Sequence, residues 1–349
     1  YAVGKFGGET DNWMWPRHTG DFSVFRIYAA PDGVTPAEYA KENVPYKAPT
    51  HLTISTQGYK EGDFAMIMGF PGSTTRYMTS WEIDQMLETE NPNRIYIRGE
   101  RQAILKERMA ADGAIRIKYA SKYASSSNYW KNSIGMSRGV KKLGVKGQKE
   151  QIEKEFTAWV WERMNKKRIE LYGNALPMIE KAIKEATPIE SDIQILSETL
   201  FRAAEIVVAP MRYRNALRRG ESVEVAVEAM QKFYKDYDEA TDRDVAKRMF
   251  TIYRENNKRL PSIYAKIDAE FGGNSDAYVD WLYDNSQLAN YEKYQAILAL
   301  DAEAREAAFN NDPVYELALS LFELYNELVP AAIAANEKFA EGHRLYIAG

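Results

Sequence analysis

The hydrophobic pattern of the chain changes its period near residue 75, and this change limits the folds open to it. Residues 21–28 and 51–55 alternate apolar with small or polar side chains, as half-buried strands do. Residues 64–70 are a continuous apolar run between two glycine-containing turns, which is typical of a buried strand. The first 75 residues, which hold nine of the 21 glycines, are therefore predicted to be β-rich.

From Ser80 onward, apolar residues recur at helical spacing. Residues 151–172 are the clearest case, and Ser191 and Asp242 are predicted to be N-caps of later helices. No repeat of fixed period is visible, which favours an irregular helical bundle over a solenoid. The predicted fold class is α+β and mostly α. Further helices are predicted at 175–187, 191–219, 222–236, 241–270, 276–284, 286–310 and 313–346.

Composition removes several classes of function. The chain has no Cys, so it offers no disulfide, thiolate nucleophile or Cys-ligated metal, and its three His lie far apart in sequence. We predict no metal or other cofactor. The net charge of −4 gives no general signature of nucleic-acid binding, and no apolar run approaches the ~20 residues of a membrane span. The basic stretch at 138–149 is interpreted as an exposed turn before a helix rather than an anion contact.

The densest chemistry lies at residues 7–22, which include two Trp, one Arg, one His and two Asp. Such a segment forms either a structured corner or the wall of a binding site. Asp21 starts the first predicted strand, where a carboxylate can orient a catalytic His as in Ser-His-Asp chemistry. His18 is only three residues away from it, so a packing role is favoured for His18.

Three motifs carry a resemblance to a known family. Residues 7–23 read Gly-Gly-x-x-Asp-Asn-Trp-Met-Trp-Pro-Arg-His-Thr-Gly-Asp-Phe-Ser, and residues 69–72 and 127–132 add two shorter motifs. Together they resemble the bacterial dipeptidyl-peptidase seven and eleven family, serine exopeptidases of chymotrypsin-like ancestry. The resemblance implies a partial trypsin-like catalytic β-barrel segment at 1–78. It also implies an α-helical lid and substrate-clamp domain at 79–349.

The resemblance also assigns site residues. It places the acid of the catalytic triad at Asp21, and an Asn-Trp pair that binds the free α-amino group of the substrate at Asn12 and Trp13. A further amine-binding Asn from the helical domain falls on Asn128, with Asn132 as the second candidate. Amide oxygens suit this role because they accept hydrogen bonds from an ammonium group.

Two family elements have no counterpart in this sequence. The family's catalytic His lies before the first motif, and its Ser lies in a glycine-containing turn near the C-terminus. The nearest candidate here, Ser275, is predicted to start a helix instead. We therefore expect the chain to be an internal piece, inactive alone, of an enzyme that removes N-terminal dipeptides from peptides. The alternative is a helical module that binds a peptide without cleaving it.

The remaining expectations also come from the resemblance. It implies a peptide substrate with a free N-terminus, a periplasmic or cell-surface location, and a tendency to form homodimers. It leaves open whether the cleaved dipeptide carries an apolar or an acidic side chain. From the composition, neither a nucleic-acid partner nor a membrane span is expected.

Overall fold

A computed structural model describes residues 2–6, 12–13, 20–23, 25–53, 55–70, 72–208 and 219–349. The chain divides into two compact units, Tyr1–Arg76 and Tyr77–Gly349. The predicted α-rich character is confirmed, because most of the described residues are helical. The roles that the resemblance gives to the two parts of the chain stay a prediction.

The first unit contains two short antiparallel hairpins. Strand β1 (Ala2–Phe6) pairs with β2 (Gly20–Ser23), and β3 (Tyr28–Ala29) pairs with β4 (Val44–Pro45). The turn after β3 is held by Asp32, whose carboxylate accepts hydrogen bonds from the backbone and hydroxyl groups of Thr35. These hydrogen bonds stabilise the ionised form and lower the pKa of Asp32 to about 2.

The strands predicted around residues 51–55 and at 64–70 are absent from what the structure describes there. The described residues of both segments are irregular, and the large apolar side chains among them are exposed, Phe70 completely so at 103%. An apolar run forms a stable strand only when a partner strand and a covering face are available. The described part of this unit supplies neither, so the prediction of a buried strand is wrong for the chain as it stands. The residues described in this unit do not form a chymotrypsin-like barrel.

The second unit is built from helices joined by short connections. Helix α1 continues through a π-helical turn (Met86–Glu90) into α2, and α6 continues into a second π-helical turn (Ser197–Phe201). A 3-10 helix (Glu205–Val208) follows. The helices are α1 (Ser80–Gln85), α2 (Asn91–Ala111), α3 (Gly113–Lys142), α4 (Val145–Trp161), α5 (Lys166–Tyr172), α6 (Ala175–Leu196), α7 (Val223–Lys235), α8 (Glu239–Asn256), α9 (Ile263–Phe271), α10 (Ser275–Asn285), α11 (Tyr291–Leu298), α12 (Ala302–Asn310) and α13 (Pro313–Ala348).

Several predicted helix boundaries are wrong. The helices predicted at 241–270 and 286–310 are each divided into two. The single helix expected at 151–172 is interrupted at Glu162–Met164, where Arg163 has a φ of 53°. Asn165 then restarts the helix by accepting a hydrogen bond from the backbone N–H of Arg168 at 3.2 Å. Conversely, Pro188 was expected to end a helix but lies inside α6, where Thr187 Oγ1 donates to the carbonyl oxygen of Ile183.

Further predictions near helix ends also need correction. Ser191 is interior to α6 and so is not an N-cap. The basic stretch at 138–149 is mostly helical, with only Leu143 and Gly144 between α3 and α4. Gly144 has a φ of 60°, in the left-handed region that favours glycine. One lysine of this stretch, Lys146, forms an ion pair of 2.7 Å with Asp84 on α1.

The largest core cluster lies among α2, α6, α8, α9, α10 and α13. Tyr253, Tyr264, Tyr278 and Tyr283 are fully buried there. Helix α13 is long and apolar enough to cross a membrane by length and composition. It also packs along α6 in this core, and core helices of globular proteins often pass the same test.

Candidate active site

The Asn-Trp pair forms a turn between β1 and β2. Trp13 has a φ of 59°, in the left-handed region that a bulky side chain rarely adopts, and its side chain is 49% exposed. Asn12 is partly buried. Strained backbone at a non-glycine residue costs about 1–3 kcal/mol and occurs most often at binding and catalytic sites. The turn therefore presents a large, half-exposed aromatic ring on a strained backbone.

Asp21 lies in β2, opposite an irregularity in the β1–β2 pairing. Val3 pairs with Phe22 and Phe6 with Gly20, so the register shifts by one residue between these pairs. Two residues of β1, Gly4 and Lys5, therefore face the single residue Asp21. A β-bulge of this kind re-aims side chains and is common next to active sites.

Asn128 lies on α3 with its side chain exposed. The flanking residues fix the helix at this point, since Ser127 is buried and Trp130 Nε1 donates to the carbonyl oxygen of Ile95 on α2 at 2.8 Å. A Cβ at Gly99 would lie 3.4 Å from Trp130 Nε1, which shows how closely α2 and α3 approach. Asn132, the second candidate, is half-buried one turn further along α3.

The structure thus brings three of the predicted residues onto one hairpin, because Asn12, Trp13 and Asp21 all belong to β1, β2 and their connection. Asn128 belongs to the helical unit. That Asn128 and the Asn12–Trp13 pair bind the same amino group stays a prediction, as does the triad role of Asp21.

The other candidate residues take structural positions. Ser275 is the first residue of α10 and is buried, but the cap is Asn274, whose side chain accepts from the N–H of Ala277 at 3.1 Å. His343 stacks on Phe339. His18 lies outside the described residues. Within the described ranges no cluster of three or more His, Asp or Glu side chains could hold a metal ion.

Sequence reasoning missed a buried carboxylate in the helical unit. Asp242 was predicted to cap a helix, but Asp238 caps α8 and Asp242 lies within it, fully buried. Asp242 accepts hydrogen bonds from the backbone N–H groups of Glu205 (2.7 Å) and Ile206 (2.9 Å) and from the hydroxyl of Tyr283 (2.8 Å). Burial, with the neighbouring Glu205 carboxylate, raises the pKa of Asp242 to about 7.

This cluster joins the 3-10 helix Glu205–Val208 to α8 and α10. The three partners lie 36 to 41 residues from Asp242 in the sequence. An Asp within the first turn of a helix is an ordinary feature of helix N-termini, so local sequence offers no signal for this longer-range role. The hydrogen bonds satisfy three buried donors, which is a structural role.

A comparison over the whole chain shows the family to which it belongs. The profile of the family described as Peptidase S46 matches residues 1–349. The chain belongs to the peptidase S46 family. This confirms the resemblance found from the motifs at residues 7–23, 69–72 and 127–132.

Individual relatives of this S46 chain carry two kinds of name. It is 45% identical to dipeptidyl-peptidase 7 of Porphyromonas gingivalis, over 100% of this chain and 49% of the relative. It is 34% identical to the Asp/Glu-specific dipeptidyl-peptidase of the same organism, again over 100% of this chain and 49% of the relative.

A solved structure resembles this S46 chain as well. The crystal structure of Porphyromonas endodontalis DPP11 in complex with the dipeptide Arg-Glu matches with a TM-score of 0.80 and 32% identity. The match covers 99% of this chain and 50% of that one. The chain therefore spans about half the length of the relatives that it matches.

Proposed function

We propose that the protein containing this chain is a serine dipeptidyl aminopeptidase that removes dipeptides from the free N-terminus of peptides. The observation that carries the proposal is the Asn12–Trp13 turn, with its strained Trp13 backbone, on the same hairpin as Asp21. Two further facts support it, namely the S46 family match and the dipeptidyl-peptidase names of the relatives.

In this proposal Asp21 is the acid of the catalytic triad. A buried carboxylate orients the imidazole of a catalytic His and stabilises the imidazolium that forms when the His takes a proton from Ser. The Ser oxygen attacks the carbonyl carbon of the second residue, and the scissile C–N bond breaks as the His gives its proton to the amine of the departing peptide. The dipeptide is then held as an ester on Ser, and water hydrolyses this ester to release it. Parts of the protein outside this chain supply the His and the Ser, and with them the rest of a chymotrypsin-like barrel.

The amine clamp explains why the products would be dipeptides. Asn12, Trp13 and Asn128 hold the substrate's ammonium group, so the bond two residues away reaches the nucleophile. Amide and backbone carbonyl oxygens accept its N–H bonds. A fixed geometry of this kind converts binding energy into correct placement of the reacting groups. Residues 79–349 then act as the helical lid that carries Asn128.

The test uses the protein expressed from its complete gene. Asp21→Ala is expected to lower kcat by about 10³- to 10⁴-fold on a dipeptidyl chromogenic substrate, because the His loses its orienting partner. Asp63→Ala is the matched control, since Asp63 is an exposed carboxylate of the same unit that accepts a hydrogen bond from the backbone N–H of Lys60 at 2.7 Å. The control should keep near-native kcat.

Two results would overturn the proposal in different ways. Near-native turnover by Asp21→Ala, with the fold unchanged by circular dichroism, would remove Asp21 from the triad. Absence of any hydrolysis by the unaltered protein, with peptides still bound, would favour a non-catalytic peptide-binding module. A periplasmic or cell-surface location and a homodimer are further proposals that rest on the family resemblance alone.

A further inference from the structure

A cavity of about 620 Å³ lies in the helical unit beside α3. Its walls come from α2, α3, the π-helical turn Ser197–Phe201 and the following 3-10 helix. Its volume falls within the range of about 300–1,000 Å³ that binds small molecules and short peptides. A π-helical turn in a cavity wall is itself informative, because such turns occur frequently at functional sites.

The cavity lining carries an excess of positive charge. Arg94, Arg98, Arg101, Lys122 and Arg202 line it, against two carboxylates, Glu198 and Glu205. Arg98 binds Glu198 with both nitrogens of its fork, at 2.8 and 2.9 Å, and Lys122 Nζ contacts Glu205 Oε2 at 2.5 Å. Each carboxylate therefore has a close cationic partner already. The other three cationic side chains lie further from these two carboxylates.

Those three arginines retain capacity for another anion. Nε of Arg94 lies 4.0 Å from Oε1 of Glu198, and Nη1 of Arg202 lies 3.8 Å from the same oxygen. Nη2 of Arg101 lies 3.8 Å from Oε1 of Glu205. A strong charge-assisted hydrogen bond is shorter, about 2.7–2.9 Å. The side chain of Arg202 is also largely exposed at the cavity.

Two buried polar atoms at the cavity lack partners. Nε of Arg101 and Oγ of Ser126 make no hydrogen bond to any of the residues that the structure describes. Ser126 is 4% exposed, so bulk water does not compensate it. Buried donors are normally satisfied, and an exception in a cavity wall points to a ligand that completes the hydrogen bonds.

The lining also fits a peptide better than a bare inorganic ion. Aromatic rings of Tyr129 and Phe201 face the same cavity as the arginines, and Arg98 lies over the Tyr129 ring at 5.1 Å. Apolar surface together with a few polar groups is typical of sites for organic ligands. Arginine forks match the two oxygens of a carboxylate.

The position of the cavity connects it with the proposed amine clamp. Ser125 and Tyr129 line the cavity. Asn128 lies on the same helix, α3, three residues after Ser125 and one residue before Tyr129. Residues three apart on a helix are surface neighbours, so Asn128 stands next to the cavity lining.

We propose that this cavity is a carboxylate subsite for peptide ligands, in which Arg101, Arg202 and Ser126 bind the carboxylate. The choice of a peptide rests on the proposed function. The carboxylate comes either from an acidic side chain or from the free C-terminus of a short peptide, and the experiment separates these sources.

The experiment measures binding by calorimetry, using the protein from its complete gene with Asp21→Ala to prevent turnover. Three tetrapeptides with free N-termini are compared: a neutral one with an amidated C-terminus, the same one with a free carboxylate, and an amidated one with a single Glu. At least one carboxylate-bearing peptide is expected to bind about tenfold more tightly than the neutral amide.

Substitutions then locate the effect. Arg101→Gln and Ser126→Ala should each remove most of the carboxylate preference while binding of the neutral amide is retained. Arg248→Gln is the charge-matched control, since Arg248 pairs with Glu100 at 2.8 Å and does not line the cavity. Ser126→Ala removes a hydroxyl without a described partner, so it tests the site even where the Arg101 variant folds poorly.

Equal binding of all three peptides would overturn the proposal, and so would a carboxylate preference that survives both cavity substitutions. The proposed function and the proposed subsite can be refuted independently of each other. If the unaltered protein hydrolyses no peptide but the preference depends on Arg101 and Ser126, the subsite stands and the peptidase does not. If hydrolysis occurs with no carboxylate preference, the peptidase stands and the subsite does not.

Discussion

The two asparagines of α3, Asn128 and Asn132, allow a direct test at the scale of single residues. Asn128 is exposed, and Asn132 is half-buried one turn along the same helix. A hydrogen bond to a charged group contributes about 1.5–3 kcal/mol, so Asn128→Ala should lower kcat/KM for a free-amine substrate by ~10- to 100-fold. Asn132→Ala should change it by less than about threefold.

The substrate series decides whether Asn128 acts on the amine. The same substrates carrying an N-acetyl group have no ammonium, so Asn128→Ala should have little further effect on whatever turnover they show. An equal loss on free and acetylated substrates would mean that Asn128 supports the fold or the lid and does not bind the amino group. A larger effect from Asn132 would exchange the two assignments.

The buried carboxyl group of Asp242 should make the free energy of unfolding depend on pH. Burial raises its pKa to about 7 from an ordinary 3.8, with Glu205 adding to the shift. The folded protein therefore holds this proton more tightly than the unfolded chain does. The stabilisation is complete below about pH 4 and is lost as the pH rises through about 7.

Asp242→Asn should expose this dependence. The variant should lose about 1–3 kcal/mol of unfolding free energy, because Asn cannot accept from both backbone N–H groups of Glu205 and Ile206. The difference from the unaltered protein should shrink between about pH 4 and about pH 7 in urea titrations. Asp244→Asn, which breaks a partly exposed pair with Arg108, is the control. A difference that grows with pH would instead mean a depressed pKa for Asp242 in the fold.

These residues show what a local sequence can reveal. Asn12 and Trp13 could be proposed from the sequence because their motif is contiguous and they lie in one turn, and their amine-binding role stays a prediction. The partners of Asp242 are distant in sequence and consist partly of backbone N–H groups, which carry no residue-type signal. The cationic cavity is similar, since its arginines lie on helix faces where charged residues are ordinary.

At the scale of elements, helix α13 contacts α6 through a glycine. A Cβ at Gly342 would lie 2.9 Å from Ile179 Cγ1 and 3.0 Å from the carbonyl oxygen of Ala175. Gly342→Ala should therefore force the two helices apart and cost about 1–3 kcal/mol of unfolding free energy. Thermal or urea unfolding measures this directly.

Gly139→Ala is the matched helical control. A Cβ at Gly139 in α3 meets nothing within 4 Å, so the only expected effect is the reduced entropy of the unfolded chain. This substitution should stabilise the protein by about 0.5–1 kcal/mol. Equal effects of the two substitutions would show that helix propensity, and not the approach of α13 to α6, governs both positions.

Helices and strands differ in how far the sequence predicts them. A helix satisfies its backbone hydrogen bonds within one segment, so the period of apolar residues located most of the helical unit. The errors at Glu162–Met164 and Pro188 concern helix boundaries. Capping side chains and compensating hydrogen bonds determine whether a helix ends or continues there. A strand needs a partner, and residues 64–70 have the composition of a strand without one in the described part of the chain.

At the scale of the whole molecule, the two units bury their apolar residues to different extents. The helical unit encloses its aromatic core, whereas Tyr59, Phe64, Ile67 and Phe70 of the first unit are exposed. Exposed segments without regular structure are preferred sites of proteolytic cleavage. Chymotrypsin cleaves after large aromatic residues, which this segment exposes. Brief digestion of this chain by chymotrypsin should therefore cut first within residues 59–70.

The digestion also tests the proposed barrel. Intact-mass measurement should show a stable product that begins within residues 60–77 and retains the helical unit. The control is Leu143→Ser at the exposed α3–α4 connection, which should leave the site of the first cut unchanged. In the protein from its complete gene the same bonds should be cut at least about tenfold more slowly, because barrel strands would pair with this segment and exclude the protease. Cleavage at an unchanged rate would mean that residues 64–70 form no barrel strand, and a first cut within 80–208 would mean that the helical unit is the less stable of the two.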